Sequence, residues 1–512
     1  MAPAVTSSTG ASRRSPRVSR LADAVLHPGF AGTVPPAWLL RRVEAGLGGV
    51  ALFSRNVESW EQVAALTGML RRANLDLTVA VDEETGVVTR LQARTGSTRP
   101  GACALGVVDD VDLTAAVAED LGGALRDAGI TLNYAPVADV NSDPRNPVIG
   151  VRSFGSDPHL VARHTAAWIR GQQRAGVAAC AKHFPGHGDT RTDSHLEDAV
   201  VAVSRDELAA RELHPFRAAI AAGVRAVMIG HLMVPAVDPR QPSTVSRAVV
   251  TGLLREEMGF TGPAITDAIE MRAVASRYGL PGAAVRALAA GADTICVGGE
   301  HADEGTATML RDAIVDAVAA GHLSEQRLAE AAGRVAALTR WSRAHAARRR
   351  TYRDAAIGMS AARRAVRVAT SGSAPTLPLR TGPHVVGFCA DASPVVGSEP
   401  PPGLGSLLAP ALPGTTAVQL TRADVAARCW EREVLAAAAN RPLVVVVCDA
   451  HRHTWISGAL AVLATARADC VVVDTGLGAD PRGAVYLCTY GSSLASRQTA
   501  VEMLAGPRAV AE

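Results

Sequence analysis

The sequence predicts an α/β protein: a (β/α)8 TIM-type barrel followed by a smaller open-sheet α/β sandwich domain. Three observations predict it. From about residue 20 to 345, short apolar runs alternate with amphipathic helical stretches, as in repeated β-α units over a parallel sheet. Polar residues gather directly after those runs, at the C-terminal strand ends where such a barrel carries its site. A second alternating series begins after a Ser/Ala/Pro-rich stretch, 371–379.

A length of 512 residues fits one large barrel plus a smaller domain. The expected divisions are a disordered lead over 1–18, the barrel over 19–345, a basic helix and linker over 346–380, and the second domain over 381–512. A weak first strand is expected near Ala24–Leu26, then Gly49–Phe53, Leu77–Val81, Thr131–Pro136, Val177–Ala181, Ala226–Ile229, Ala264–Thr266 and Thr294–Val297. Expected helices include Trp60–Arg72, Leu113–Arg126, Leu160–Arg174 and Pro215–Ala222, the last with proline in its first turn. In Leu328–Arg340, Leu328, Ala331, Ala332, Val335 and Leu338 share one face. The strand ends then present Arg55 and Asn56, Asp82 and Glu83, Asp139 and Asn141, Lys182 and His183, His231, Asp267, and Gly298 with Gly299.

Beyond the barrel, Arg340–Arg367 is basic, with Arg348, Arg349 and Arg350 in a row, and reads as a solvated connecting helix. Strands His384–Phe388, Thr416–Leu420, Leu443–Cys448, Cys470–Asp474 and Ala484–Leu487 form the second sheet. Its Gly476-Leu-Gly-Ala-Asp480 lacks the dinucleotide fingerprint, so neither nicotinamide nor flavin is expected. Asp449, His451 and His453 read as a surface loop within reach of the barrel mouth.

The net charge is only +3 with 48% hydrophobic residues, which argues against nucleic acid, a membrane surface or disorder. The first twenty residues have no apolar segment before a cleavage site, and eight scattered cysteines without Cys-x-x-Cys spacing read as buried thiols. The expectation is a cytoplasmic monomer or weak homodimer acting on a small molecule without a cofactor.

The chemistry concentrates between Ala179 and Val200. Pro185, Gly186 and Gly188 forbid a helix after the apolar run, so Lys182, His183, His187, Asp189, Asp193 and His195 are expected on a loop. Lys182 is the single lysine among 52 Lys plus Arg residues. A lysine kept there suggests a site needing a compact ammonium, although a high-GC genome would leave one survivor by chance. Asp193 and His195, one residue apart, suit a carboxylate-held imidazole working as general acid/base, and Asp267 suits an anionic nucleophile. Asp82 and Arg152 offer the acceptors and donors that vicinal hydroxyls require. A metal site from His183, His187, Asp189 and His195 loses its main support because Pro185 and Gly186 break the i, i+4 geometry, and no Gly-x-Ser-x-Gly elbow appears.

Lys182-His-Phe-Pro-Gly-His-Gly-Asp-Thr190 with Asp193-Ser-His195 resembles the signature of β-N-acetylglucosaminidases of glycoside hydrolase family 3. The resemblance continues in Leu52-Phe-Ser-Arg-Asn56, Asp82-Glu-Glu84, Asn133 to Asn141, Pro144 to Gly150 with Arg152-Ser-Phe-Gly155, and Ile265-Thr-Asp-Ala-Ile-Glu-Met271. It implies that Asp267 forms a covalent glycosyl-enzyme and that His195, held by Asp193, is the acid/base. Asp82, Arg152, Lys182 and His183 then hold the sugar, with no metal and no cofactor. The implied substrates are terminal β-N-acetylglucosaminides such as muropeptides or chitin fragments, which would place the enzyme in peptidoglycan recycling. The open alternatives are a phosphorylase, since a neutral imidazole does not repel phosphate, a broader β-glucosidase, and a silent muropeptide sensor. One departure stands out: Thr85-Gly86-Val87 replaces the family's glycine-rich, arginine-bearing turn, putting a β-branched residue where positive φ is needed.

Overall fold

The computed structural model describes residues 15–193, 198–299, 301–346, 356–371, 375–388, 390, 403–427, 429–478 and 481–506. Eight parallel strands follow one another in chain order: β1 (Leu26–Pro28), β2 (Gly49–Leu52), β3 (Thr78–Val81), β4 (Leu132–Asn133), β5 (Ala178–Phe184), β6 (Ala226–Ile229), β7 (Ala264–Thr266) and β8 (Ile295–Val297). The ladder is continuous from β2 to β7, β8 pairs with β1, and a bridge between Ile265 and Thr294 joins β7 to the chain entering β8. The seam between β1 and β2 carries one backbone bond, Gly48 N to Asp23 O.

Alternation along each strand sorts the side chains. Val50, Val79, Val81, Ala179, Ala181, Val227 and Ile229 pack outward under the helices, while Ala51, Ala80, Ala178, Cys180, Ala226, Met228 and Cys296 fill the interior. Small residues predominate inside because an eight-stranded barrel leaves a narrow lumen. Leu338 and Trp341 of helix Glu325–Ala346 pack against that inner layer, and the face expected there is buried throughout.

Helices start earlier than apolar periodicity suggests because polar caps precede them. Asp110 Oδ1 accepts from the amides of Asp112 and Leu113 to open Val111–Asp127, and Asp157 Oδ1 accepts from His159 N to open Pro158–Arg174. The helix expected from Pro215 runs over Leu213–Ala221 and continues a wider π turn, Leu208–Glu212, so Pro215 lies inside it. Residues 1–14 of the expected lead lie outside the described residues, but Pro16–Ala24 is helical, with Pro16 in its first turn and Val18 and Ala22 buried.

The second sheet has six strands, one more than expected: β9 (Arg367–Thr370), β10 (His384–Phe388), β11 (Thr416–Leu420), β12 (Leu443–Val447), β13 (Val471–Asp474) and β14 (Val485–Cys488), in the order β9-β14-β13-β12-β10-β11. The additional β9 is antiparallel to β14 and exposed at all four residues, which is why its basic sequence resembles a linker. Valines fill β12 and β13 because helices cover both faces: Val445, Val447 and Val472 in one layer, Val444, Val471 and Val473 in the other. Arg348, Arg349 and Arg350 lie outside the described residues; the next described helix is Ile357–Ala365.

The second domain sits on the barrel loops that follow β3 and β4. Ala495 N donates to Ser97 O, Arg497 to Thr95 O, and His451 Nε2 to Pro144 O at 2.8 Å. His451 thus reaches the barrel, where a plain surface loop was expected. Among the described residues no helix is long and apolar enough to cross a membrane, and of the described cysteines Cys429 and Cys448 are exposed, against the expectation of buried thiols.

Candidate active site

Strand β5 is longer than its apolar run because the segment after β4 continues the ladder. Cys180 N donates to Ala135 O, Lys182 N to Pro136 O, and Ala138 N to Lys182 O. Lys182 and His183 therefore stand on the strand, where a loop was expected. Lys182 takes the next inward register after Ala178 and Cys180, its side chain 2% exposed. Its Nζ lies 2.6 Å from Asp82 Oδ1 and 2.6 Å from Glu84 Oε1. Burial alone would pull this ammonium's pKa down, but Asp82 and Glu84 outweigh burial and hold it above the ordinary lysine value.

Arg152 enters from the 3-10 turn Gly150–Arg152. Its Nε and Nη2 grip Glu84 at 2.9 and 2.8 Å, and Nη1 donates to Val148 O at 3.0 Å. The fork expected to face substrate is thus largely taken by Glu84, which the sequence reading quoted in a motif without a role. Glu84 is held well below the usual carboxylate range, Arg152 and Lys182 overcoming the opposing effect of burial. Its position two residues after Asp82 was the available signal.

His183 is fixed by Asp139, a fully buried carboxylate at the end of the β4 segment. Asp139 Oδ2 accepts from His183 Nδ1 at 2.7 Å, and Oδ1 accepts from His187 N at 2.7 Å. Because a carboxylate only accepts, Nδ1 carries the proton and Nε2 is left toward Arg152 Nη2, 3.5 Å away. Burial would raise the Asp139 pKa, yet His183 and His187 bring it below the ordinary value. His187 points back into the protein, its Nδ1 2.6 Å from Thr190 Oγ1, and burial pushes its pKa down to about 4, so it is neutral.

Asp267 follows β7, its backbone N bonded to Ile229 O and its Oδ1 accepting from Ala268 N at 2.8 Å. It converges with Asp82 on one end of the barrel: the interior thiols of Cys180 and Cys296, both driven up by burial, feel both carboxylates. His231, expected among the pocket's polar residues, instead supports this turn. It is 1% exposed, and its Nε2 donates to Ala268 O at 2.9 Å. Three residues beyond the nucleophile candidate, Glu270 has both carboxylate oxygens buried without a hydrogen-bond partner among the described residues. Arg55 feels the charge of Glu270, and its own guanidinium donates to Phe30 O, Gly298 O and Gly299 O.

Asp193 is half-buried at the end of one described stretch and the next begins at Asp198, so His195 lies outside the described residues. Leading into Asp193, the loop is tied down by Ser142 Oγ to Asp189 Oδ1 at 3.0 Å and by Arg191 Nε to Asp143 Oδ2 at 2.9 Å. Glu212 lies under it, at the close of the π turn, and a Cβ on Gly186 would come within 2.6 Å of Glu212 Oε2, which explains the glycine there. Thr85 occupies the left-handed region expected of its position, with φ 66°, held by its hydroxyl donating to Pro100 O at 2.8 Å. Val87 packs against the small cluster of Val88, Val137, Val148 and Ile149.

A barrel whose strand ends present one neutralised Lys-Arg-carboxylate array, one oriented imidazole and a further carboxylate is arranged for a polyhydroxylated ligand. The family profile described as the glycosyl hydrolase family 3 N-terminal domain matches residues 41–338. The chain belongs to glycosyl hydrolase family 3. A curated family relative, "Beta-hexosaminidase A" of Pseudoalteromonas piscicida, is 32% identical over 333 residues, covering 60% of this chain and 55% of the relative. The chain thus spans little more than half the length of that relative. A solved family 3 β-N-acetylglucosaminidase from Paenibacillus sp. str. FPU-7 is 32% identical, with a TM-score of 0.84 over 95% of this chain and 96% of that one. A structure named β-glucoside phosphorylase BglX shares the fold, at 19% identity and a TM-score of 0.75 over 96% of this chain and 92% of that one.

Proposed function

We propose that this family 3 glycosidase is a retaining exo-β-N-acetylglucosaminidase. The observation that carries the reading is the joint placement of Lys182, Asp82, Glu84, Arg152 and Asp139-held His183 at the barrel end that also carries Asp267. Likeness over nearly the whole chain to a solved β-N-acetylglucosaminidase supports the choice of sugar.

In this reading Asp267 attacks the anomeric carbon while His195, supported by Asp193, passes a proton to the departing oxygen. Water then attacks the glycosyl ester, returning its proton to His195 and the carboxylate to Asp267. Asp82 accepts from sugar hydroxyls, and the Lys182 ammonium and His183 Nε2 complete the cradle. The substrates are short N-acetylglucosaminides, of muropeptide or chitin type.

The test is turnover of a chromogenic β-N-acetylglucosaminide beside the matching β-glucoside, with and without phosphate. Free N-acetylglucosamine in both buffers, with kcat/KM about 10²-fold above the glucoside, is expected. Preferential formation of the 1-phosphate makes the protein a phosphorylase, and preference for glucoside removes the acetamido assignment.

Glu270 supplies a second expectation. A buried carboxylate with no donor among the described residues can take one from substrate, and the acetamido N–H is a donor next to the anomeric carbon. Glu270→Gln should cut kcat/KM for the acetamido sugar about 10-fold or more while leaving that for the glucoside within about threefold. Equal losses on both sugars would remove Glu270 from sugar discrimination.

A further inference from the structure

We propose that Asn146 is a positioning residue that locks the acid/base loop to the turn carrying Arg152. The inference rests on the reading of Asp193 and His195 as the acid/base pair.

Asn146 is 0% exposed and makes every bond its amide allows. Its Oδ1 accepts from Val148 N at 2.9 Å and from Ile149 N at 2.7 Å. Its Nδ2 donates to His187 O at 2.7 Å and to Thr190 Oγ1 at 3.3 Å. Each half of the amide therefore serves a different segment. The acceptor half sets Val148 and Ile149, and from them Ile149 O takes Arg152 N at 2.9 Å while Val148 O takes Arg152 Nη1 at 3.0 Å. The donor half holds the loop three residues before Asp193. Two further ties between these stretches, Ser142 to Asp189 and Arg191 to Asp143, are less buried, the Arg191 side chain being 70% exposed. A fully buried amide fixes geometry more firmly than these.

Asparagine suits this post because both segments present backbone groups of opposite kind, amides on one side and a carbonyl on the other. Asn146→Asp is therefore a selective cut. A carboxylate keeps the two acceptor bonds that set the Arg152 turn, and it offers no donor to His187 O.

The readout is leaving-group dependence, because only a poor leaving group needs the proton from the acid. Asn146→Asp should lower kcat about 10²-fold on an alkyl β-N-acetylglucosaminide and less than about threefold on the dinitrophenyl glycoside, with KM for the latter unchanged. Thr190→Val, which removes the hydroxyl end of the same link, should give the same split, reduced to about threefold to tenfold. His195→Ala runs beside them as the reference. If it splits the two substrates and the Asn146 and Thr190 variants do not, or if these lose both activities equally, the positioning role is overturned. If His195→Ala shows no split, the acid/base reading itself fails and takes the inference with it.

Discussion

Asp267→Asn is expected to abolish turnover, by about 10⁴-fold or more, while N-acetylglucosamine still binds. In the proposed reading the carboxylate forms the covalent bond, and an amide of the same shape removes that nucleophile without disturbing the turn that holds it. Ala268 N donates to Oδ1, the backbone of Asp267 is pinned to Ile229, and His231 supports Ala268 O from the far side. None of these contacts needs the negative charge. The loss should therefore fall in kcat, with KM and product inhibition close to those of the parent protein. In Asp267→Ala, which vacates the space of the carboxylate, azide should restore part of the turnover and give the glycosyl azide of inverted configuration. Unchanged activity removes Asp267 from the reaction. Sugar binding without any turnover in the parent protein, under all conditions, turns the site into a sensor's pocket.

The barrel is legible in the sequence because parallel strands buried on both faces read as short apolar runs, and all eight fall within three residues of their expected bounds at both ends. β5 overruns its apolar segment by three residues because the pairing of Ala135, Pro136 and Ala138 decides its end, and pairing is a property of two segments. For the same reason β9 was missed. Four exposed residues with an arginine at their head carry no alternation, and only the edge of β14 makes them a strand.

In the proposed site, the residues that gather at the barrel end were legible as positions: Lys182 by its rarity, Asp82, His183 and Asp267 by their strand ends. The residues that hold them were legible as positions, Asp139 at a strand end and Glu84 and Asn146 inside motifs, but not in their roles. Glu84, Asp139 and Asn146 act through bonds to partners 68, 44 and 41 positions away, which nothing local reveals. Glu212 is the extreme case, a carboxyl inside an amphipathic helical stretch that burial, with help from Asp139 and Asp189 and against Arg211, pushes up to about 7.

Lys182→Met is expected to cost about 3–5 kcal/mol of stability and about 10³-fold in kcat/KM. The buried array of Lys182, Arg152, Asp82 and Glu84 is balanced, two cations against two carboxylates, and methionine fills the space of the lysine stem while leaving the carboxylates one cation short. Arg152 still grips Glu84, so the penalty falls on Asp82, whose recorded cation is Lys182. The pH dependence carries the same signature. Glu84 has a depressed pKa in the folded protein, so its contribution is present above the ordinary carboxylate range and is lost as pH falls through the folded value. Lys182 has a raised one, so its contribution is present below the ordinary lysine value and is lost as pH rises through the folded value. Chemical denaturation across pH should show the variant's plateau lowered and its alkaline decline weakened. Lys182→Arg decides why this chain keeps a single lysine. An arginine restores the charge, and hence much of the stability, but a planar fork cannot place one nitrogen 2.6 Å from both Asp82 and Glu84 in a space shaped for an ammonium. Its kcat/KM should stay at least about tenfold down. Wild-type activity in Lys182→Arg means that any cation serves, and that Lys182 is merely the lysine that a GC-rich genome happened to spare.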